Sequence, residues 1–265
     1  MSGLSDTVIS ASGLNAYTSA VDVVGNNLAN TSTIGFKSGR TLFGNVLSSA
    51  MGVPALQQNP SGVTVQAIQT QFTQGSLENT DNPLDFAING NGFFIVKDPS
   101  RNNATFYTRN GEFSLNSSGN LVNASGQIVQ GSSGNITIPA DANGNMPTSI
   151  QLTPSGQINA TYPSGQVKTV AQLELAVFNA PTQLANAGNN DYSQTDGSGA
   201  PKVLTPSSGG AGTVVGNTLE ESNVNEATEF GNLISMQSAF QSNATVLSST
   251  NDMFTDMFTL LGENS

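Results

Sequence analysis

The apolar positions along the chain change period twice. In residues 3–30, apolar side chains recur at Leu14, Tyr17, Val21, Val24 and Leu28, led in by Leu4, Val8 and Ala11. Steps of three and four place these residues on one side of an α-helix. Gly13 and Gly25 interrupt the pattern, each at a cost of about 1 kcal/mol relative to alanine. Residues 225–261 carry a longer stripe: Phe230, Leu233, Gln237, Phe240, Ala244, Leu247, Asn251, Phe254, Phe258 and Leu261. Alternating steps of three and four held this long are the signature of a coiled-coil seam. Its polar members, Gln237 and Asn251, can set register at some cost in stability. At 1.5 Å per residue this helix runs roughly 55 Å. Asn223 or Asn225 is placed to cap it, Glu226 and Glu229 favour the positive end of its dipole, and Gly262 is a natural stop.

Between the helices the period shortens. Phe93-Phe94-Ile95-Val96, Phe113-Ser114-Leu115 and Leu173–Phe178 predict strands. A Ser-Gly turn recurs in Ser118-Gly119-Asn120-Leu121, Ser125-Gly126-Gln127-Ile128, Ser155-Gly156-Gln157-Ile158 and Ser164-Gly165-Gln166-Val167. Each puts glycine where a tight turn can demand positive φ and then starts an apolar strand, which predicts a run of β-hairpins. Pro54, Asn59, Pro60, Ser61 and Gly62 break residues 37–75, while Val63-Thr64-Val65 and Ala67-Ile68 look extended. Residues 181–215, rich in Asn, Gly, Ser and Pro, predict a loop returning to the last helix.

The expected fold class is therefore α+β, with N- and C-terminal helices pairing as a coiled coil around a central, mostly antiparallel β-domain. The expected division is a helix and signature over 1–36, an extended arm over 37–74, a β-domain with return loop over 75–215, and a C-terminal helical region over 216–265.

Composition narrows the function. Charged residues are 9% of the 265, against a usual share of about 25%. Neutral polar residues replace them, and these pack between subunits without the desolvation cost of buried charge. The net charge is −11 with only 7 Lys and Arg, too few for the basic stripe a nucleic-acid binder needs. No run of apolar residues is long enough to span a bilayer. The N-terminus lacks a basic n-region and an apolar h-region, so no cleaved signal is expected. All basic residues (Lys37, Arg40, Lys97, Arg101, Arg109, Lys168, Lys202) lie outside the two terminal helices, which carry only acids. The helices thus lack the cross-seam salt bridges of an ordinary coiled coil and are expected to order fully only on assembly. The basic residues of the middle region, with Lys37 and Arg40 as the pair to test, are candidates to meet acidic helices of neighbouring subunits.

The chain contains neither histidine nor cysteine, which removes the commonest general base, metal ligand and thiol nucleophile. Asp252 and Asp256 share a helix face but have no third ligand in view. Asp141-Ala142-Asn143-Gly144-Asn145 has its glycine misplaced for a calcium loop and reads as a turn. Asp81 and Asp85 flank a turn, and Gly90-Asn91-Gly92 is followed by a strand where a dinucleotide fingerprint needs a helix. No catalytic, cofactor or metal site is expected. Two other classes compete: a secreted adhesin or carbohydrate-binding β-domain, and a carboxylate glycosidase. Heptad helices at both ends do not fit the first. The second needs an aromatic-lined cleft, and the chain has no Trp and 6% aromatic residues.

Several segments carry a family resemblance. Val23–Lys37, with Asn26, Asn27, Leu28, Ala29, Asn30, Gly35, Phe36 and Lys37, resembles the N-terminal signature of flagellar rod and hook proteins. Gln74–Leu77 and Asn82–Phe94 resemble the start of their β-domain, and Tyr107–Phe113 continues the match. Ser198–Pro201 and Leu219–Asn225, with Ser222, Asn223 and Val224, precede the last helix as in that family. The length is similar to that of distal-rod members, while Gly35–Gly39 and Gly62–Ile68 resemble hook members. The resemblance implies a structural subunit of the flagellar axis, distal-rod-like or a short hook type, with no enzymatic activity. It implies export beyond the inner membrane through the flagellar type III apparatus. It further implies assembly under a cap, with copies of itself and adjacent rod and hook proteins, into a torque-transmitting tube turning inside the envelope rings.

Overall fold

A computed structural model of the chain describes residues 2–48, 59–141 and 144–262. The chain is α+β and divides into two compact units. Residues 1–29, 39–71 and 224–265 form unit 1, and residues 30–38 and 72–223 form unit 2.

Unit 1 contains helix α1 (Ser2–Ala29), a hairpin of β1 (Gly39–Ser48) and β2 (Asn59–Thr70), and, at the end of the chain, helix α2 (Glu226–Gly262). The stretch expected as an extended arm is thus largely this twisted hairpin, whose register shifts after Leu42 and Asn45. Pro54 lies outside the described residues. The helices pair with each other, and α1 also packs on the hairpin. Tyr17 meets Phe43 of β1 with ring centroids 5.7 Å apart. Asn225 caps α2, its Oδ1 accepting from Thr228 N at 3.0 Å. Glu226 and Glu229 occupy the first turn.

Unit 2 is built from β3 (Leu77–Asn79), β4 (Phe86–Asn89), β5 (Phe93–Asp98), β6 (Ala104–Thr108), β7 (Phe113–Leu115), β8 (Leu121–Asn123) and β9 (Ile128–Gly131). It continues through β10 (Gly134–Asn135), β11 (Ser149–Leu152), β12 (Gln157–Thr161), β13 (Val167–Gln172) and β14 (Leu175–Val177). The region expected as a return loop instead carries β15 (Ala185–Gly188), β16 (Asp191–Ser193), β17 (Lys202–Leu204) and β18 (Thr213–Gly216). Its Gly- and Asn-rich composition reads as loop, yet β16 pairs with β6 and β17 with β14, so tertiary pairing overrides local propensity. A last strand, β19 (Thr218–Glu220), precedes α2 in residues expected to belong to the helical region.

All pairings among the described strands are antiparallel. The largest sheet runs β15-β16-β6-β5-β9-β8-β7 with β14 and β17 joined at β5, while β11-β12-β13, β18-β4 and β19-β3 form separate sheets. Strand β5 explains the continuous run Phe93–Val96: Phe94 and Val96 enter one core with Phe86, Phe113 and Ile158, and Phe93 and Ile95 enter another with Tyr107, Phe178 and Tyr192. A strand buried on both faces has no polar side to alternate with. The Ser-Gly turns form as the pattern implies. Gly119, Gly126, Gly156 and Gly165 all have φ between +76° and +84°, and each is followed within two residues by β8, β9, β12 or β13.

Candidate functional site

Two features stand out, one in each unit. In α1 the deeply buried line is Ser10, Gly13, Ala16, Ala20, Val23, Val24 and Asn27. Of the expected seam, Val24 is buried and Leu14, Tyr17, Val21 and Leu28 are half-buried. Small residues let α2 come close: a Cβ on Gly13 would stand 2.9 Å from Asn243 Oδ1. The glycine that weakens the isolated helix therefore makes room for its neighbour. Asn27 holds the start of the hairpin, accepting from Gly39 N at 2.8 Å and donating to Gly39 O at 2.9 Å.

In α2 the inward line includes Asn232, Met236, Ala239, Asn243, Leu247, Thr250 and Phe254. Leu233 and Ala244 are half-buried, and Gln237 and Asn251 are exposed. Phe230 is 53% exposed, Ile234 65% and Phe240 39%. The side chains of Phe258 and Leu261 lie outside the described part. Leu247 and Phe254 belong to both lines, but Phe230, Gln237, Phe240 and Asn251 sit about one residue to the side of the line turned inward in the lone chain, leaving large apolar groups in water. Val21, Phe240, Thr18, Gln237 and Gln241 line an open groove of about 400 Å³.

In unit 2 the family-like segments meet in a buried ion cluster. Lys37 and Arg109 are 3% and 4% exposed and Glu220 is fully buried. Lys37 Nζ donates to Glu220 Oε1 at 2.5 Å and to Thr73 O at 2.8 Å. Arg109 Nη1 donates to Glu220 Oε2 at 3.1 Å and Nη2 to Gly90 O at 2.8 Å. Gly75 N adds a third donor to the carboxylate, at 3.0 Å from Oε1. The Arg109 guanidinium also lies over the Phe93 ring, 5.3 Å from its centroid. Burial pulls both cations below their usual pKa values, and Glu220 opposes that pull on each. Bonds from the neighbouring backbone and from the Asn223 side chain complete the knot. Gly35 N donates to Glu220 O at 2.7 Å, Ser38 N to Asn223 Oδ1 at 2.8 Å, and Asn223 Nδ2 to Thr73 Oγ1 at 2.8 Å.

Gly35 shows why the signature contains glycine there. Its φ is +67°, and a Cβ would stand 2.6 Å from Asn110 N. The remaining signature positions are spread out: Asn26 and Ala29 are exposed, while Asn30, Phe36, Ser222 and Val224 are half-buried. One expectation is corrected. Lys37 cannot reach an acidic helix of a neighbour, because it is enclosed in its own chain against Glu220; Arg40 is exposed. Sequence reasoning missed Arg109 and Glu220 as partners, since nothing in their local pattern ties residues this far apart.

The acidic pairs behave as turns or open faces. Asp85 accepts from Thr80 Oγ1 and Asn82 Nδ2 at 2.8 and 2.7 Å, and Asp252 and Asp256 are exposed. Among the described residues no cluster of three or more acidic side chains is placed to hold a metal ion, and no helix is long and apolar enough to cross a membrane.

Three family models match the chain: a flagella basal body rod protein segment at residues 9–37, a flagellar hook protein FlgE/F/G D1 domain at 87–160, and a flagellar basal body rod FlgEFG C-terminal segment at 215–260. Flagellar basal-body rod protein FlgG of Buchnera aphidicola subsp. Baizongia pistaciae is 35% identical over 92% of this chain and 95% of its own length. The FlgG of Buchnera aphidicola subsp. Acyrthosiphon pisum is 36% identical with the same coverage. The flagellar hook protein FlgE of Escherichia coli is 42% identical, but over 53% of this chain and 33% of its own length.

Proposed function

The chain belongs to the flagellar rod and hook protein family, and from its FlgG relatives we infer that it is a structural subunit of the bacterial flagellar rod. The observation that carries this reading is coverage. Rod relatives match along nearly the whole of both chains, whereas the hook protein matches about half of this one. Neither the short hook type nor the adhesin class has comparable support.

In this reading the terminal helices are assembly elements. Large apolar groups at Phe230, Ile234 and Phe240 stand in water in the lone chain, and burying such side chains stabilises an interface by about 1.5–3 kcal/mol each. The expected seam residues of both helices would meet neighbouring copies, and adjacent rod and hook proteins would continue the same packing. Delivery through the type III export apparatus, growth under a cap and rotation inside envelope rings belong to the same proposal. We read the chain as having no catalytic role, because its relatives are named as rod and hook components.

Deletion of the coding gene should abolish motility and leave basal bodies with a truncated rod in electron micrographs, and a plasmid copy should restore both. A full-length rod in the deletion strain would overturn the assignment.

A further inference from the structure

We propose that the Lys37–Glu220–Arg109 cluster is a closing lock that makes completion of unit 2 conditional on its last strand. The three side chains come from the beginning, middle and end of that unit, which comprises residues 30–38 and 72–223. Glu220 is the carboxylate that both buried cations reach. Until it arrives, closing the unit strands two positive charges away from water, which is strongly unfavourable. Apolar contacts accumulate gradually and tolerate a half-closed state; an unpaired buried charge does not.

The surrounding bonds point the same way. Arg109 follows directly on β6 and lies over Phe93 of β5, so the β5–β6 hairpin cannot bury that face with Arg109 unpaired. Segments 30–38 and 72–75 take Gly35 N, Ser38 N and Gly75 N to acceptors within 220–223. Strands β18 and β19 bring that stretch in by pairing with β4 and β3. Lys37 and Arg109 also donate to Thr73 O and Gly90 O, but the counter-charge of both arrives only with the final residues of the unit. A chain lacking them stays open even though most of its core residues are present. Under the export reading, on which this consequence alone rests, an incomplete chain would remain threadable. The refolding test below needs no export, so failure of the lock and failure of that reading are separable.

The test is refolding of the full chain with pulsed hydrogen exchange. The amides of β5 and β6 are expected to gain protection in the same kinetic phase as Gly35 and Gly75. Glu220→Gln should lower equilibrium protection of β5 and β6 roughly 100-fold or more. Adding Lys37→Met and Arg109→Met to that variant removes the stranded charges. It should return protection to within about tenfold of the parent, with β5 and β6 now protected ahead of Gly35. Protection of β5 and β6 ahead of Gly35 and Gly75 in the parent would overturn the lock. So would a triple variant as unprotected as Glu220→Gln alone, since Glu220 would then act through shape and not charge. If Glu220→Gln does not fold, the parent kinetics and the triple variant still decide.

Discussion

Lys37 and Glu220 stand 183 positions apart in the chain and meet as an ion pair whose side chains are 1% and 0% exposed. Arg109 shares the same carboxylate, so the cluster holds two cations and one anion. That imbalance orders its variants. Glu220→Gln leaves both cations without a counter-ion and should cost about 3–5 kcal/mol, while Lys37→Met leaves Glu220 paired with Arg109 and should cost about 1–3 kcal/mol. Urea titrations followed by circular dichroism give both values. Equal losses would show that charge balance does not govern the cluster.

The pH dependence carries a definite sign. Burial lowers the Lys37 pKa from 10.5, against the opposing pull of Glu220. With the folded value below the unfolded one, the folded chain releases this proton first. The burial penalty is present below the folded pKa and is relieved as pH rises toward 10.5. The stability difference between the parent and Lys37→Met should therefore shift in favour of the parent as pH climbs through that alkaline window. Parallel denaturation curves at all alkaline pH values would contradict the burial argument.

Gly35→Ala combines a positive φ with a Cβ pressed on the Asn110 backbone, neither of which a side-chain rotation relieves. It should destabilise unit 2 by about 2 kcal/mol or more. Gly13→Ala offers the contrast. The atoms it meets are the end of the Asn243 side chain, which can turn aside, and alanine favours the helix by about 1 kcal/mol. Thermal melts should show a large loss for the first and a change within about 1 kcal/mol for the second.

Phe230→Ser together with Phe240→Ser tests the helix faces. Phe230 is 53% and Phe240 39% exposed in the lone chain, so the pair should cost the monomer no more than about 2 kcal/mol. Motility and rod length in cells should nevertheless fall sharply. Unimpaired rods would remove the outer face of α2 from the assembly interface.

Limited proteolysis reads the other expectation for the helices. Their shared line mixes a few large apolar residues with many small or polar ones, and no basic residue lies on either helix. Protease should trim both ends of the free subunit before it cuts within unit 2. A chain resistant from end to end would mean that the helices are stable without neighbours.

Much of this architecture is legible in local pattern. Period 3.6 marks both helices, the doubly buried run Phe93–Val96 marks the central strand, and recurrent Ser-Gly pairs mark the turns, because each depends on residues close together in the chain. Which face of α2 turns inward is not legible. Adjacent lines on that helix differ by one residue, and the choice between Phe240 and Ala239 depends on how closely Gly13 and Ala16 allow α1 to approach. The strands within 181–215 escape composition for a similar reason: their stability comes from partners such as β6 and β14, not from their own side chains. The family segments themselves are plain in the sequence, but their common purpose is not. Sequence by itself determined the two helices, the central strand, the turns and the kinship. Tertiary structure alone decided that Lys37, Arg109 and Glu220 form one buried cluster, because ion pairing acts through space and leaves no period along the chain.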